Sequence, residues 1–307
     1  DSTAALSIMP GNTVPIFLLR PQTSDSHYDS SAALQICDEL KSLGYEMTII
    51  ESNLEMLRVP VGFPTDLANA VPAILLSETL GIGSVSFGTV LESGYGLGHE
   101  KFREYGEGSH WRFFNTIFES VGLKLSMPVI GISEVGTGII CEKSPYGHYS
   151  QSCIRGKWLK PCMKCWKCFR KELLAVGLGH TENTDIGSML KSNEVQKKLS
   201  EFPISHENVI TYSLQRIDLE SYNFLKPLAS KLDMGLDMGF LETWYYPAIK
   251  FVPDTLRSVV RENISSFLPP ISPEGEEVLL TWSMTDHLLS KKARIGQERL
   301  TSFWQDF

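Results

Sequence analysis

Four of the six cysteines lie close together in the chain, with the spacing Cys-x8-Cys-x2-Cys-x2-Cys at Cys153, Cys162, Cys165 and Cys168. Two-residue gaps let successive thiolates turn toward one point, and the longer loop returns the fourth thiolate from outside. Four thiolates in tetrahedral reach form a closed structural zinc site with no open position for catalysis. The spacing therefore predicts a structural Zn²⁺ ion.

Two other interpretations of these cysteines are a pair of disulfides and four separate core residues. Cys-x2-Cys-x2-Cys is a poor frame for disulfides, and nothing else in the chain marks a secreted, cysteine-rich protein. Of the remaining two cysteines, Cys37 lies on the apolar face of a predicted helix and Cys141 lies outside the frame. The pattern favours one metal site and does not support a second.

The cysteine segment resembles a known zinc knuckle. Ser152 directly precedes Cys153, and a basic residue follows soon after Cys168. This arrangement is similar to that of the 7-cyano-7-deazaguanine synthase family, which belongs to the PP-loop ATP pyrophosphatases. The resemblance implies that Ser152 and Arg155 shape a pocket for a deazaguanine substrate, with zinc fixing the turn.

The start of the chain carries a second point of resemblance. Asp1, Ser2 and Thr3 resemble the last part of the PP-loop motif Ser-Gly-Gly-x-Asp-Ser, which opens a helix after a buried strand. The resemblance implies that Asp1 and Ser2 act at the phosphates, that Thr3 helps to bind ATP, and that the strand and Ser-Gly-Gly precede Asp1. Taken alone, Asp1 and Ser2 fit an ordinary helix N-cap equally well.

A glycine-containing loop follows the third predicted strand. Gly88 and Thr89 fall at the strand end, where ligands bind in open α/β sheets. The synthase family has a glycine here, then an acidic residue and Ser-Gly-Tyr. The resemblance implies that Gly88 and Thr89 contact ATP and that a further set contacts the substrate: Glu92, Ser93, Gly94 and Tyr95. A surface loop is the alternative for these residues taken alone.

Two positions depart from the family pattern. Ser133 precedes Glu134 where the family usually has Lys-Glu, which removes a positive charge that would face a phosphate. Gly62, Phe63 and Pro64 stand where the family has Gly-Arg-Asn. Both departures weaken the expectation of an intact ATP site.

Composition limits the class of protein. The chain has 307 residues, 42% of them hydrophobic and 21% charged, which is ordinary for a globular protein with a sizeable core. No apolar run is long enough for a membrane span and no signal peptide is evident, so a cytoplasmic location and no membrane partner are expected. The net charge of −8 argues against broad nucleic-acid binding.

Strands and helices alternate in the first part of the chain. Apolar runs predict strands at 14–19, 47–50, 85–87 and 127–132, with helices at 30–43 and 66–80. A further amphipathic helix within 100–127 is predicted to face Phe113, Ile117 and Phe118 inward. Alternation indicates a parallel sheet covered on both faces. With the resemblance, it predicts an α/β, Rossmann-like PP-loop domain (adenine nucleotide alpha hydrolase-like) over residues 1–178.

Residues 179–307 continue beyond the resemblance, and their pattern predicts a mostly helical extension with helices at 188–199, 225–232, 248–265 and 286–304. The pattern does not indicate a role. A docking site for a protein acceptor is one expectation for this extension, and a homodimer is another expectation for the chain.

Basic residues are dense around the knuckle, and no acidic residue lies between Ser150 and Lys171. Four thiolates on one Zn²⁺ leave a formal charge of −2, which nearby cations stabilise. This explains about half of the cations, and the others can face an anionic ligand. The residues are Arg155, Lys157, Lys160, Lys164, Lys167, Arg170 and Lys171.

The resemblance implies an ATP-dependent ligase that uses Zn²⁺, ATP and Mg²⁺. The carboxylate of 7-carboxy-7-deazaguanine would attack the α-phosphate of ATP, and an amine would then displace AMP. With ammonia as the amine, the product leads to 7-cyano-7-deazaguanine. With a protein amine, it is a deazaguanine–protein conjugate, as expected for relatives in anti-phage defence. The alternative is a catalytically decayed member that acts as a nucleotide- or protein-binding module.

Overall fold

The structure is a computed structural model in which residues 1–21, 30–59, 67–98, 101–180 and 185–306 are described. These residues form a mixed α/β fold with four strands, β1 (Ile16–Leu19), β2 (Thr48–Glu51), β3 (Ser84–Ser86) and β4 (Lys124–Ser126). The helices are α1 (Ser2–Ile8), α2 (Ser31–Ser42), α3 (Val71–Leu75), α4 (Ser77–Leu80), α5 (Leu91–Gly94), α6 (Ser109–Ser120), α7 (Glu134–Lys143), α8 (Trp166–Gly177), α9 (Ile186–Leu190), α10 (Asn193–Leu199), α11 (Glu207–Arg216), α12 (Lys226–Lys231), α13 (Asp254–Phe267), α14 (Pro273–Leu280), α15 (Thr285–Leu289) and α16 (Lys291–Asp306).

The strands form two short parallel sheets. Strand β1 pairs with β2 from Ile16 opposite Thr48 onward, and β3 pairs with β4 from Ser84 opposite Lys124 onward. Parallel pairing agrees with the expected alternation of strands and helices. Within the described residues the two pairs are not joined into one sheet. The fold is therefore α/β with parallel strands, and a complete Rossmann-like sheet remains a prediction.

The predicted strand at 127–132 is wrong. Pro128 has no N–H to donate to a neighbouring strand. The segment turns instead, with the Ile130 N–H donating to the Met127 carbonyl at 3.3 Å and the Ile132 N–H to the Val129 carbonyl at 2.9 Å. The strand that pairs with β3 is β4, which ends at Ser126, directly before this turn.

Helix α6 buries a different face from the one predicted. Phe118 is buried as expected, but Phe113 is 62% exposed and Ile117 is also exposed. The helix carries two apolar rows, and the row of Trp111, Phe114 and Phe118 is the one packed against the core. Helical periodicity shows which residues share a face, but it does not show which face packs inward.

In the described part of the chain, the helices and strands enclose three clusters of buried apolar residues. One includes Tyr95, Met127 and Phe240, a second includes Phe169 with the buried cysteines of the knuckle (Cys153, Cys165 and Cys168), and a third includes Ile8. Each cluster combines residues from the two sides of residue 178. The packing therefore joins the predicted domain 1–178 to the predicted extension 179–307.

Shorter 3₁₀ segments connect or extend these elements, at Leu54–Leu57, Ala68–Ala70, Tyr105–Glu107, Gly147–Tyr149, Asn223–Leu225, Gly239–Glu242 and Tyr246–Phe251. The regular structure of the described residues 185–306 is helical, as predicted. The helix predicted at 188–199 is divided into α9 and α10, and the one at 248–265 becomes α13, which begins after Pro253. Among the described helices, none combines the length and apolarity needed to cross a bilayer.

Candidate metal centre and charged cluster

The four cysteines converge on one point. Their sulfur atoms all lie within 4.8 Å of one another, and three of the four residues are buried. The Cys162 and Cys168 sulfurs are 3.8 Å apart, and those of Cys165 and Cys168 are 3.5 Å apart. Four sulfurs at about 2.3 Å from a central zinc ion lie roughly 3.8 Å from each other. The cluster can therefore hold a metal ion such as zinc.

The start of α8 positions two of these sulfurs. Cys165 is the N-cap of the helix, and its sulfur accepts a hydrogen bond from the Cys168 N–H at 3.5 Å. The Cys153 sulfur accepts from the Cys162 N–H at 3.3 Å. Backbone N–H groups and the positive end of a helix dipole both favour the thiolate, which is the form that binds metals.

Polar contacts near both ends of the cysteine segment, residues 153–168, connect it to the start of helix α10. Glu194 accepts a hydrogen bond from the Trp166 N–H at 3.0 Å and forms an ion pair with Arg155 at 2.5 Å. The Ser192 hydroxyl donates to the Lys164 carbonyl at 2.7 Å. Arg155, which the resemblance assigns to substrate, therefore contacts α10 in this structure.

A buried charged cluster lies beside the metal centre, with Glu134 in its middle. Glu134 is 3% exposed. Its carboxylate lies 3.2 Å from the guanidinium of Arg170, 3.0 Å from the ammonium of Lys171 and 3.3 Å from Nδ1 of His206. Burial alone raises the pKa of Glu134, but these three basic groups outweigh it and lower that pKa to about 2. The carboxylate is therefore ionised at neutral pH.

Three helices bring these charges together. Ser133 caps α7 by accepting from the Gly136 N–H at 2.9 Å, which places Glu134 in the first turn. Arg170 and Lys171 come from α8, and His206 caps α11. Helices α8 and α11 approach closely because Gly177 has no side chain; a Cβ atom there would lie 2.9 Å from Cα of Ser213.

The beginning of α1 lies next to this cluster. Lys171, Lys167 and Glu134 are within electrostatic range of the backbone nitrogen of Asp1. Gly88 packs directly on the same segment, since a Cβ atom at Gly88 would lie 3.0 Å from the Ser2 nitrogen. The structure therefore brings together Asp1, Ser2 and Gly88 of the predicted ATP site, with Thr3 in the first turn of α1 and Thr89 next to Gly88.

Glu92 joins the cluster from the first turn of α5, the short helix that follows β3. The side chain is 1% exposed, and both carboxylate oxygens accept from the Glu134 N–H at 3.0 Å. One oxygen also accepts from the Asn208 side-chain amide at 3.0 Å. Burial, and next the charge of Glu134, raise the pKa of Glu92 to about 7. The visible role of Glu92 is to cap α7 from inside the protein.

The raised pKa of Glu92 predicts a measurable pH dependence of stability. In the native state Glu92 keeps its proton up to about pH 7, whereas in the unfolded chain it releases the proton near its ordinary pKa of 4.5. The free energy of unfolding therefore falls as the pH rises from about 4.5 toward 7. Between pH 6 and 8 the wild type should lose about 1 kcal/mol more unfolding free energy than Glu92→Gln, which cannot titrate. Urea unfolding at both pH values measures this difference, and equal losses would show that Glu92 is not the titrating group.

Other predicted substrate residues lie apart from each other. Tyr95 is fully buried, with its ring stacked on Phe102 at 5.6 Å and edge-on to Tyr245 at 5.4 Å. Gly94 packs against Ile130, and Ser93 is exposed. Ser152 is partly exposed beside Cys153. In this structure Tyr95 is a core residue, whereas Glu92, in the first turn of α5, reaches the charged cluster. The departures at Gly62, Phe63 and Pro64 lie outside the described residues.

Sequence reasoning did not identify Glu134, His206, Asn208 or Glu194 as site residues. For Glu134 a signal exists, because it is the one acidic residue in the apolar stretch 127–140, and a buried acid needs a partner. For His206 and Asn208 no local pattern is present, since their contacts to Glu134 and Glu92 cross many residues of chain.

Comparison with known proteins gives one match. The sequence model of a family of unknown function (DUF6395) matches residues 113–283, which is more than half of the chain. The matched part contains all four clustered cysteines, Glu134, Arg170, Lys171 and His206, whereas Asp1 and Gly88 lie outside it. Neither the curated proteins nor the solved structures give a match. The chain therefore belongs to this family of unknown function, whose matched region carries the metal centre and most of the charged cluster.

Proposed function

We propose that this protein is an ATP-dependent ligase that activates the carboxylate of 7-carboxy-7-deazaguanine and transfers the acyl group to an amine. A carboxylate oxygen attacks the α-phosphorus of ATP, and the bond to the bridging oxygen breaks to release pyrophosphate. The amine nitrogen then attacks the acyl carbon, loses a proton and displaces AMP. Mg²⁺ would offset the charge of the triphosphate.

The observation that supports this proposal most is the junction at the start of α1. Three predicted ATP-site residues meet there, with Gly88 held against the backbone of Asp1 and Ser2. This contact holds the two segments that the resemblance assigns to phosphate binding, the start of α1 and the end of β3, next to each other. Lys167 and Lys171 of α8 add positive charge near Asp1. Catalysis there is positioning and charge stabilisation, with no protein nucleophile.

The ion held by the four cysteines is proposed to be zinc, in a structural role. Four thiolates leave no open coordination position, so the ion would not activate water or substrate. Its contribution would be to fix the start of α8, the helix that carries Lys167, Arg170 and Lys171.

Two amine acceptors follow from the proposal. Ammonia leads to 7-cyano-7-deazaguanine, and a protein amine gives a deazaguanine–protein conjugate. The extension 179–307 is the feature that favours a protein acceptor. Its helices α9–α16 pack into the same clusters as the first part of the chain, and residues such as Glu194 and His206 reach the metal centre and charged cluster.

The test is to mix the zinc-loaded protein with ATP, Mg²⁺ and 7-carboxy-7-deazaguanine, with and without ammonia or a candidate protein. We expect AMP to form with the carboxylate and the mass of the product to identify the acceptor. Gly88→Ala should lower the rate of AMP formation about 10-fold or more, because its Cβ must displace the Ser2 backbone. Gly83→Ala is the control, since a Cβ there meets no atom within 4 Å.

A catalytically decayed binding module is the second candidate, and one observation favours it. Ser133, which replaces the lysine of the synthase family, is fully buried as the cap of α7, so no cation enters the site from this position. Binding of ATP without AMP formation under any of these conditions would support the module and contradict the ligase.

A further inference from the structure

The guanidinium of Arg170 has N–H donors that no neighbouring group accepts from in the described part of the chain. Its side chain is 7% exposed, and Nη2 donates to Glu134 at 3.2 Å. Nε and Nη1 are buried and have no hydrogen-bond partner in the described part of the chain. Buried charged donors are rarely left without a partner, because their lost hydration is not replaced. A guanidinium with two open donors is suited to a planar or tetrahedral oxyanion.

The charges around Arg170 do not balance. The single carboxylate of Glu134 pairs with three basic side chains, Arg170, Lys171 and His206. Lys167 lies one helical turn before Lys171 on α8, and no ion pair to it is found among the described residues. The second carboxylate, Glu92, is already occupied by the Glu134 N–H and the Asn208 amide. The side chains of this cluster therefore carry more positive than negative charge, and the formal charge of −2 on four thiolates around a Zn²⁺ ion is the nearest further source of negative charge.

One side of this cluster opens toward solvent. The Lys171 and His206 side chains are 28% and 26% exposed, and Lys167 is exposed, whereas the Arg170 side chain is 7% exposed. The backbone of His206 is in the left-handed region, with φ at 61°, a conformation that is uncommon for a residue other than glycine and recurs at functional sites. Arg170 adjoins Lys171 in the chain and lies three residues after Lys167 on α8, so an anion held by the two lysines would be close to its guanidinium.

We propose that Lys167, Arg170 and Lys171 form a binding site for a phosphate oxyanion, with Glu134 and His206 as positioning residues. The site joins α8 to α11, so the part of the chain beyond the synthase resemblance helps to build it. The inference that the anion is the pyrophosphate released from ATP rests on the proposed function. The inference that the site binds a phosphate group is independent of the proposed function.

The test is isothermal titration of the zinc-loaded full chain with inorganic pyrophosphate, and separately with inorganic phosphate, at fixed ionic strength. We expect saturable binding, tighter for pyrophosphate. Arg170→Lys keeps one charge but removes the two open donors, and Lys171→Met removes a charge at the opening. Each should weaken binding about 10-fold or more, as loss of charged hydrogen bonds implies. Lys160→Met, an exposed lysine of the knuckle, is the matched control and should change affinity less than about 2-fold.

Absence of saturable binding by the wild type, or an equal loss in the Lys160→Met control, would overturn the proposal. Thermal unfolding and zinc content of each variant show whether it is folded; if Arg170→Lys is not, Lys171→Met decides. Phosphate binding without AMP formation would leave this site standing and remove the ligase. If the protein forms AMP but folded Arg170→Lys and Lys171→Met bind pyrophosphate as tightly as the wild type, the ligase stands and the phosphate site is wrong.

Discussion

Cys165→Ser should lose its metal ion and most of the stability of the region around α8. Cys165 is buried among the residues of the second apolar cluster and also caps α8. Structural zinc sites contribute about 10–16 kcal/mol, as much as the whole stability of a typical domain. We expect about one zinc ion per chain in the wild type, none in the variant, and a fall in Tm of about 10 °C or more.

Metal analysis and thermal unfolding measure both effects, and Cys141→Ser is the control. Cys141 is also a free cysteine, but it lies outside the cluster, so the Cys141→Ser variant should keep its zinc ion. A chelator should lower the Tm of the wild type and of Cys141→Ser alike. Retention of zinc by Cys165→Ser would show that the cluster is not a four-cysteine centre.

Glu134→Ala should be the most destabilising single change in the charged cluster. It leaves Arg170 and Lys171 without their carboxylate, and Arg170 is buried. Removing one partner of a buried ion pair costs about 3–5 kcal/mol because the remaining charge is uncompensated. Urea unfolding at pH 7.5 with zinc present measures the loss.

Glu142→Ala is the matched control on the same helix. Glu142 pairs with His180 at 3.1 Å, but both side chains are about half exposed, so its removal should cost less than about 1 kcal/mol. Adding Arg170→Met to Glu134→Ala should recover part of the loss, because the unpaired buried charge is gone. Similar costs for Glu134→Ala and Glu142→Ala would contradict the assigned role of Glu134.

The features predictable from the sequence are those set by nearby residues. The cysteine spacing identified a group that can hold a metal ion because all four cysteines lie in one short segment, with two residues between successive members of the last three. Strands β1, β2 and β3 lie within one or two residues of their predicted positions, since each is a short apolar run ended by polar or glycine residues. The helical character of residues 185–306 followed in the same way.

The features that were missed depend on contacts between distant residues. Arg155 pairs with Glu194, and Glu134 with His206, across long stretches of chain that local periodicity does not relate. Tyr95 packs in the core because aromatic residues of other elements surround it, which a family motif does not reveal. Such pairings are decided by tertiary packing, and propensity and spacing contain little information about them.

The claim on which the rest depends is that one zinc ion, held by four cysteines, fixes the start of α8, the helix that carries Lys167, Arg170 and Lys171. X-ray absorption at the zinc edge of the purified protein tests it most directly. We predict four sulfur scatterers at about 2.3 Å and no nitrogen or oxygen in the first shell. Fewer than four sulfurs, or a protein that purifies without zinc and does not gain stability from it, would contradict the claim.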